Sequence, residues 1–266
     1  MRSKCVVFQA IVILSLVCGV VYSAPVDVPL EIKQMLVEAE DSEGQINFTI
    51  GAESDLVLEH SFNVFHAELD SAKFSGVKFV GSFDSNLYGE GDLYSFFGQA
   101  ADVGYTAKIA DDELKYLFKD SLIWTVGCNF ALDAPNENGI KPFVDIKYRS
   151  IEDMQYRTVD VGSTQYKEAE IEKIGRPKYR EWQAALGLGK KFKFVLLYAG
   201  IKYSDVSATA KVKINGNEYF LNSARSDNVV GGFAGCSIIP CKEFALDVET
   251  RFNDERAFTF RGTYKF

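Results

Sequence analysis

The C-terminal stretch Arg256-Ala-Phe-Thr-Phe-Arg-Gly-Thr-Tyr-Lys-Phe266 alternates between two kinds of side chain. One parity is mostly aromatic: Phe258, Phe260, Gly262, Tyr264 and Phe266. The other parity is small, polar or charged: Ala257, Thr259, Arg261, Thr263 and Lys265. Successive side chains of a strand point to opposite faces of the sheet. The pattern therefore predicts a β-strand with one apolar and one polar face.

The same alternation recurs along most of the chain. It is found in residues 102–109, 122–132, 144–149, 181–188, 192–203 and 243–252. In 102–109 the apolar parity is Val103, Tyr105, Ala107 and Ile109. The N-terminal third gives less regular strand candidates at 45–51, 56–67 and 74–83. Period two over so much of the chain predicts an all-β protein.

The apolar face could pack against a second sheet or face lipid, and three features favour lipid. The segments are about 9–11 residues long, which is the length of a tilted membrane-spanning strand. Aromatic residues gather near the segment ends, as they do in the interfacial girdles of membrane barrels. Counted back from the C-terminus, the odd-numbered connections 253–255, 204–228, 150–180 and 110–120 include the three longest. We therefore predict a closed antiparallel transmembrane β-barrel of 8 strands, or 10 if the N-terminal candidates count.

The N-terminus reads as a secretory signal peptide over residues 1–23. Arg2 and Lys4 precede an apolar stretch from 5 to 21, and small or neutral residues precede the cleavage position after Ser23. Residues 24–44 then form a leader or short helix, and 45–266 form the barrel. The leader could lie at the periplasmic mouth, enter the lumen as a plug, or simply lead into the first strand.

The C-terminal strand resembles that of bacterial outer-membrane β-barrel proteins. In that family an aromatic last residue, preceded by apolar residues at every second position, is read by the barrel-assembly machinery. The resemblance implies an assembly signal formed by Phe258, Phe260, Tyr264 and Phe266. It also implies localisation in the outer membrane after export, with outer-membrane lipid and lipopolysaccharide as neighbours.

The polar parity of the segments predicts a charged interior. Its charged members are Asp102, Lys108, Asp145, Lys147, Arg149, Glu181, Lys202, Glu243, Asp247, Glu249, Arg251, Arg261 and Lys265. These charges could line an ion-conducting lumen or pair with one another in a plugged barrel, because interior charges must pair where water is scarce. Neutralising Glu249 and Arg251 should change the selectivity of a pore, whereas it should destabilise a closed barrel.

Cysteines and histidines supply little reactive chemistry. Strand parity predicts that Cys236 and Cys241 both face inward, that they form a disulfide across a tight turn, and that Phe233 faces lipid. Cys128 falls on the apolar face. The only two histidines, His60 and His66, could serve a rim-located hydrolase, but their spacing from Ser61 and Asp70 matches no catalytic motif.

Composition narrows the functional classes further. The net charge of −8 disfavours nucleic-acid binding, which needs clustered basic residues. We predict that the chain is not an enzyme and holds no cofactor or metal. The leading hypothesis is a structural or surface-interaction barrel, the second is a narrow porin for ions or small solutes, and the third is the hydrolase using His60 or His66.

Overall fold

A computed structural model describes residues 25–29, 47–62, 67–85, 89–109, 112–132, 139–173, 175–241 and 243–266. Its strands are β1 (Asn47–Ser61), β2 (Glu68–Ser85), β3 (Gly89–Ile109), β4 (Asp112–Phe118), β5 (Ser121–Ala131), β6 (Ile140–Ile151), β7 (Tyr156–Val161), β8 (Thr164–Lys167), β9 (Glu172–Lys173), β10 (Lys178–Phe192), β11 (Val195–Ile214), β12 (Asn217–Arg225), β13 (Val230–Cys241), β14 (Phe244–Phe252) and β15 (Glu255–Lys265). A short 3-10 turn covers Glu168–Glu170. None of the helical structure in these ranges is long and apolar enough to cross a membrane. The predicted signal peptide lies outside the described residues.

Within the described ranges, ten strands close into a ring with every pairing antiparallel. The order is β1-β2-β3-β5-β6-β10-β11-β13-β14-β15, and β15 pairs with β1 to complete the circle. The predicted closed antiparallel barrel is confirmed, at the upper strand count. Residues 47–51 and 56–61 of the first two N-terminal candidates belong to the single strand β1, and 74–83 lies inside β2.

The two ends of the barrel differ. Thr49 of β1 pairs with Lys265 of β15, so the start of the first strand and the end of the last lie together at what we call the terminal end. Tight turns such as 193–194 also lie there. The opposite, loop end carries β4, β7, β8, β9 and β12, which extend the sheet beyond the ring. The three long connections between ring strands thus gather at one end as predicted, although the connections from β1 to β2 and from β14 to β15 at that end are short.

The outer face of the ring is apolar. On β10 the side chains at 182, 184, 186 and 188 are exposed, and those between them are buried. Trp182 and Phe192 mark the two edges of this surface, and Trp182 continues an aromatic row with Tyr148 (4.7 Å between ring centroids) and Trp124. About ten residues at about 3.3 Å each, tilted by about 40°, span about 25 Å, which matches the apolar band of a membrane barrel.

The loop end is filled by an apolar core, which we call the loop core. Its larger members are Phe62, Leu69, Phe74, Phe96, Tyr105, Leu114, Tyr116, Phe118, Tyr156, Tyr179, Val206 and Val212. Phe118 joins Tyr105 and Tyr156, with ring centroids 5.4 and 5.1 Å away. Because β2, β3, β10 and β11 of the ring contribute to this core, it seals the lumen at that end.

Strand β3 departs from the predicted parity. Asp102 has a positive φ of 48°, and the pairing of β3 with β2 shifts at this point. Such a bulge inserts one residue and exchanges the two faces of the strand beyond it. Val103, Tyr105 and Ala107 are therefore buried in the loop core, whereas Lys108 is exposed and Asp102 is half-exposed. The prediction that Asp102 and Lys108 face the interior is wrong for this reason. It is also wrong for Glu243, which is exposed in the turn between β13 and β14.

Candidate functional site: a charged and occupied lumen

Buried charges fill the barrel between the loop core and the terminal end. The structure places Asp145, Lys147, Arg149, Glu181, Asp247, Glu249, Arg251 and Arg261 there, each at most 3% exposed, with Lys202 at 1%. Sequence parity picked out all nine of these. It missed Glu53, Asp55 and Lys78, which the N-terminal strands β1 and β2 add to the same interior.

Arg251 is the centre of the network nearer the loop end. Its guanidinium lies 2.9 Å from an oxygen of Asp55, 2.9 Å from Glu255 and 3.4 Å from Glu249. Asp55 also faces Arg149 at 3.4 Å, and Arg149 is 3.8 Å from Glu181. Arg149 lies over the ring of Phe74, so the charged layer abuts the loop core directly.

The short turn between β14 and β15 belongs to this network. Asp254 and Glu255 are both buried, and both pair with Lys202 of β11, Asp254 at 2.7 Å. A longer external loop would carry these carboxylates away from Lys202 and Arg251. The contacts therefore account for the shortness of this loop-end connection.

Residues Pro25-Val-Asp-Val-Pro29, which we call the inner segment, lie inside the terminal half of the lumen. The Asp27 carboxylate pairs with Lys78 of β2 and with Arg261 of β15, the latter at 2.5 Å. Arg261 also reaches Glu53 at 3.0 Å and Asp247 at 3.6 Å. Asp27 thus links β2 and β15, the two strands that flank β1 where the ring closes. The leader was predicted to lie at the periplasmic mouth, in the lumen or directly before the first strand, and the structure places residues 25–29 of it in the lumen. Residues 30–44 lie outside the described part of the chain.

The backbone of the inner segment is held from both flanks. The Val26 N–H donates to Glu249 Oε1 at 2.9 Å, and Lys147 Nζ donates to the carbonyl oxygen of Pro25. Val26 and Val28 pack in a second apolar cluster with Ala131, Phe143, Ala185, Leu196, Tyr198 and Phe233. Every residue of the segment is buried.

Two small cavities lie beside the inner segment among the described residues. A cavity of ≈ 20 Å³ lies beside Asp27 and Val28, and another of ≈ 10 Å³ lies beside Pro25. Each is about the size that one water molecule occupies. Aromatic side chains fill space elsewhere by packing over glycines: a Cβ on Gly187 would overlap the ring of Phe143.

The cysteines do not form the predicted pair. Cys236 is a free cysteine, so the predicted disulfide between Cys236 and Cys241 is wrong. Cys236 pairs across the sheet with Val248, and both are only partly buried, as expected for the outer face. Phe233 is instead the buried residue, at 1% exposed, and packs on Phe143. The parity of β13 was inferred through its turn with β14, where the register shifts between Ile238 and Cys241.

His60 makes a structural contact. Its Nε2 lies 3.0 Å from Ser226 Oγ, and that oxygen also accepts the Val206 N–H at 2.9 Å. Both side chains are buried, so the pair ties β1 to the end of β12 and presents no accessible nucleophile in the described ranges. His66 lies outside those ranges. Nowhere in the described parts do three or more His, Cys, Asp or Glu side chains converge as a metal site.

Outside the lumen, Glu152 organises the loop end beside β10. It lies 3.1 Å from Lys178 Nζ and 3.0 Å from Arg180, and it accepts a hydrogen bond from Ser150 at 3.0 Å. Partial burial raises the pKa of Glu152, but these hydrogen bonds outweigh burial and hold the pKa below its ordinary value.

The four residues of the proposed assembly signal share the outer face. Phe258, Phe260, Tyr264 and Phe266 are all exposed, with Phe258 and Phe260 packed together and Tyr264 against Phe266. The assembly role itself stays a prediction.

Comparisons with known proteins give fold likeness only. No family model matches the chain, and no curated protein matches it. Among solved structures, the translocator domain of autotransporter NalP from Neisseria meningitidis is 9% identical, covers 89% of this chain and 92% of its own, and has a TM-score of 0.43. The outer membrane protease OmpT from Escherichia coli is 10% identical (85% and 99% covered, TM-score 0.41). The outer membrane protein OprG from Pseudomonas aeruginosa is 12% identical (84% and 97% covered, TM-score 0.38). TM-scores this low carry no argument.

The class of the protein rests on its own geometry. A closed ring of antiparallel strands removes every sheet edge, and its apolar exterior surrounds a polar interior. The chain is a transmembrane β-barrel of the outer-membrane type.

Proposed function

We propose that this chain is a closed outer-membrane barrel with a structural or surface-interaction role, and that it does not conduct solutes through its lumen. One observation carries the proposal: in the described part of the chain, buried side chains lie in three successive layers across the interior. The inner segment fills the terminal half, the Arg251 network follows, and the loop core seals the far end.

The state of the interior charges supports closure. In a water-filled pore, charged side chains keep much of their solvent contact. Here Asp145, Arg149 and Glu181 are at most 1% exposed, and the acids face the bases at contact distance. Ten strands enclose at most a narrow lumen, and large aromatic side chains occupy much of it.

The loop end is the surface available for interaction. Strands β4, β7, β8 and β12 continue the sheet past the aromatic row at Trp182, and the loop core supports them from within. Charged side chains are exposed at this end, for example Arg157 of β7 and Arg176 in the connection before β10, whose side chains are 65% and 77% exposed. Lipopolysaccharide and the assembly machinery are the partners we propose for the outer face, and the loop end is the surface we propose for contacts outside the cell.

Single-channel recording tests whether the barrel conducts. The mature chain is refolded in detergent, its β content is confirmed, and it is added to a planar bilayer for single-channel recording. Protease protection of the same preparation in vesicles establishes that the barrel has inserted. Inserted barrels without steady current agree with the proposal. Steady, salt-dependent conductance from inserted barrels would overturn it and favour the narrow porin.

A further inference from the structure

The inner segment is built differently from every strand of the barrel. It forms no β-ladder with its surroundings, although it lies inside a ring of strands. Proline stands at both of its ends, and proline has no N–H to give to a ladder. Proline also favours an extended backbone before any contact is made, which lowers the entropy lost on binding. The segment therefore resembles a bound peptide more than a part of the sheet.

The wall of the lumen contacts this peptide at four of its five positions, Pro25 to Val28. Lys78 and Arg261 take the central carboxylate, and the flanking valines enter the apolar cluster around Phe143. Glu249 accepts one backbone N–H, and Lys147 binds one backbone carbonyl. Backbone contacts with alternating side-chain pockets are the usual means of recognising an extended peptide.

We propose that the terminal half of the lumen is a binding site for an extended peptide in which one acidic residue stands between two small apolar residues, and that the chain's own residues Pro25–Pro29 occupy it as a tethered, exchangeable ligand. The loop core closes the far end, so the site is a dead-end pocket that opens toward the terminal end. This goes beyond the proposed function, since a pocket of this kind binds a ligand whether or not the barrel conducts.

The first experiment measures release of the tethered segment in the full mature chain. Val28→Cys, in a background where Cys128, Cys236 and Cys241 are alanine, places a thiol at a buried position of the segment. A membrane-impermeant maleimide should label it slowly. Asp27→Asn added to this background should raise the labelling rate more than about tenfold, because the charge-assisted contacts to Lys78 and Arg261 are lost. Equal labelling rates with and without Asp27→Asn would overturn the proposal.

The second experiment measures exchange with a peptide in solution. A fluorescein-labelled peptide of the sequence Ala-Pro-Val-Asp-Val-Pro is titrated against the folded Asp27→Asn chain and against the unsubstituted chain. The peptide should bind the variant at least about tenfold more tightly, and the matched peptide with asparagine for aspartate should bind the variant at least about tenfold more weakly. No binding of either peptide, or equal binding of both, would contradict the assignment.

A third variant guards against misfolding. If Asp27→Asn yields no folded barrel, Lys78→Gln weakens the same contact from the wall, and it should accelerate the labelling of Val28→Cys in the same way. Unchanged protection in that variant would again reject the proposal. Labelling rate and peptide binding do not depend on ion conduction. A conducting barrel would therefore refute the proposed function, whereas the peptide site is tested by these two measurements alone.

Discussion

Replacing Arg251 with methionine should strongly destabilise the barrel. Arg251 is 2% exposed and lies within 3.4 Å of three carboxylates, those of Asp55, Glu249 and Glu255. Methionine keeps much of the side-chain volume but removes the charge and its hydrogen bonds. The carboxylates would then remain buried around an uncharged side chain.

The cost follows from the partners that remain. Asp55 keeps Arg149 and Glu255 keeps Lys202, so the acids are not left entirely without cations. Removing one partner of a buried ion pair costs about 3–5 kcal/mol, and we expect Arg251→Met to fall in this range. That is a large fraction of the 5–15 kcal/mol that typically stabilises a folded domain.

The chain offers a matched control in Arg256. Its side chain is 74% exposed and pairs with Glu59 on the outside of the barrel, at 3.0 Å. Arg256→Met should cost less than about 1 kcal/mol, because exposed ion pairs contribute little. Both variants would be unfolded with urea in lipid vesicles and followed by tryptophan fluorescence. A cost for Arg251→Met within about 1 kcal/mol of the control would refute the reasoning, because it would indicate that the interior is wet and its charges are solvated.

Three further predictions concern other parts of the molecule. The folded-state pKa of Glu152 is lowered, so ionised Glu152 stabilises the fold fully above the ordinary glutamate pKa of 4.5, and this contribution is lost as the pH falls through the folded-state pKa. The free energy of unfolding, measured as the pH is lowered, should therefore fall less steeply for Glu152→Gln than for the unsubstituted chain. Gly187→Ala should cost about 1–3 kcal/mol in urea unfolding through overpacking, whereas Gly81→Ala, whose Cβ would meet its nearest neighbour at 3.9 Å, should show no such loss. Phe266→Ala should lower the amount of folded barrel in the outer-membrane fraction of cells without impairing refolding in detergent. Phe252→Ala, at another exposed phenylalanine, should leave both the amount in cells and the refolding unchanged; equal yields of both variants in cells would contradict the assembly role.

Strand periodicity predicted the faces of the C-terminal strands because lipid and lumen impose opposite requirements on alternate residues. In β14, for example, Asp247, Glu249 and Arg251 all lie inside as expected. The same reasoning failed at Asp102, because a single bulge exchanges the faces and leaves no trace in the alternation itself. It failed at Cys236 because the register shifts at the turn used to infer it.

The lumen site could be predicted only in part. Lys78 lies in a stretch of β2 where apolar and polar residues do not alternate cleanly, so its inward direction gave no signal. The position of Asp27 depends on contacts with β2 and β15, which are far from it in the chain. Only the paired prolines at 25 and 29 hinted that the segment would be extended and would join no strand.

The most direct test of the membrane-spanning barrel uses the chain's two tryptophans, both of which lie in the outer aromatic row. The chain would be refolded into vesicles whose lipids carry bromine at different depths along the acyl chain, and tryptophan quenching would be compared among depths. Because Trp124 and Trp182 face outward near one edge of the apolar belt, shallow bromines should quench strongly and deep bromines less. A folded chain whose tryptophans are quenched by none of these lipids would contradict the account, because its apolar face would then be covered by protein and not by lipid.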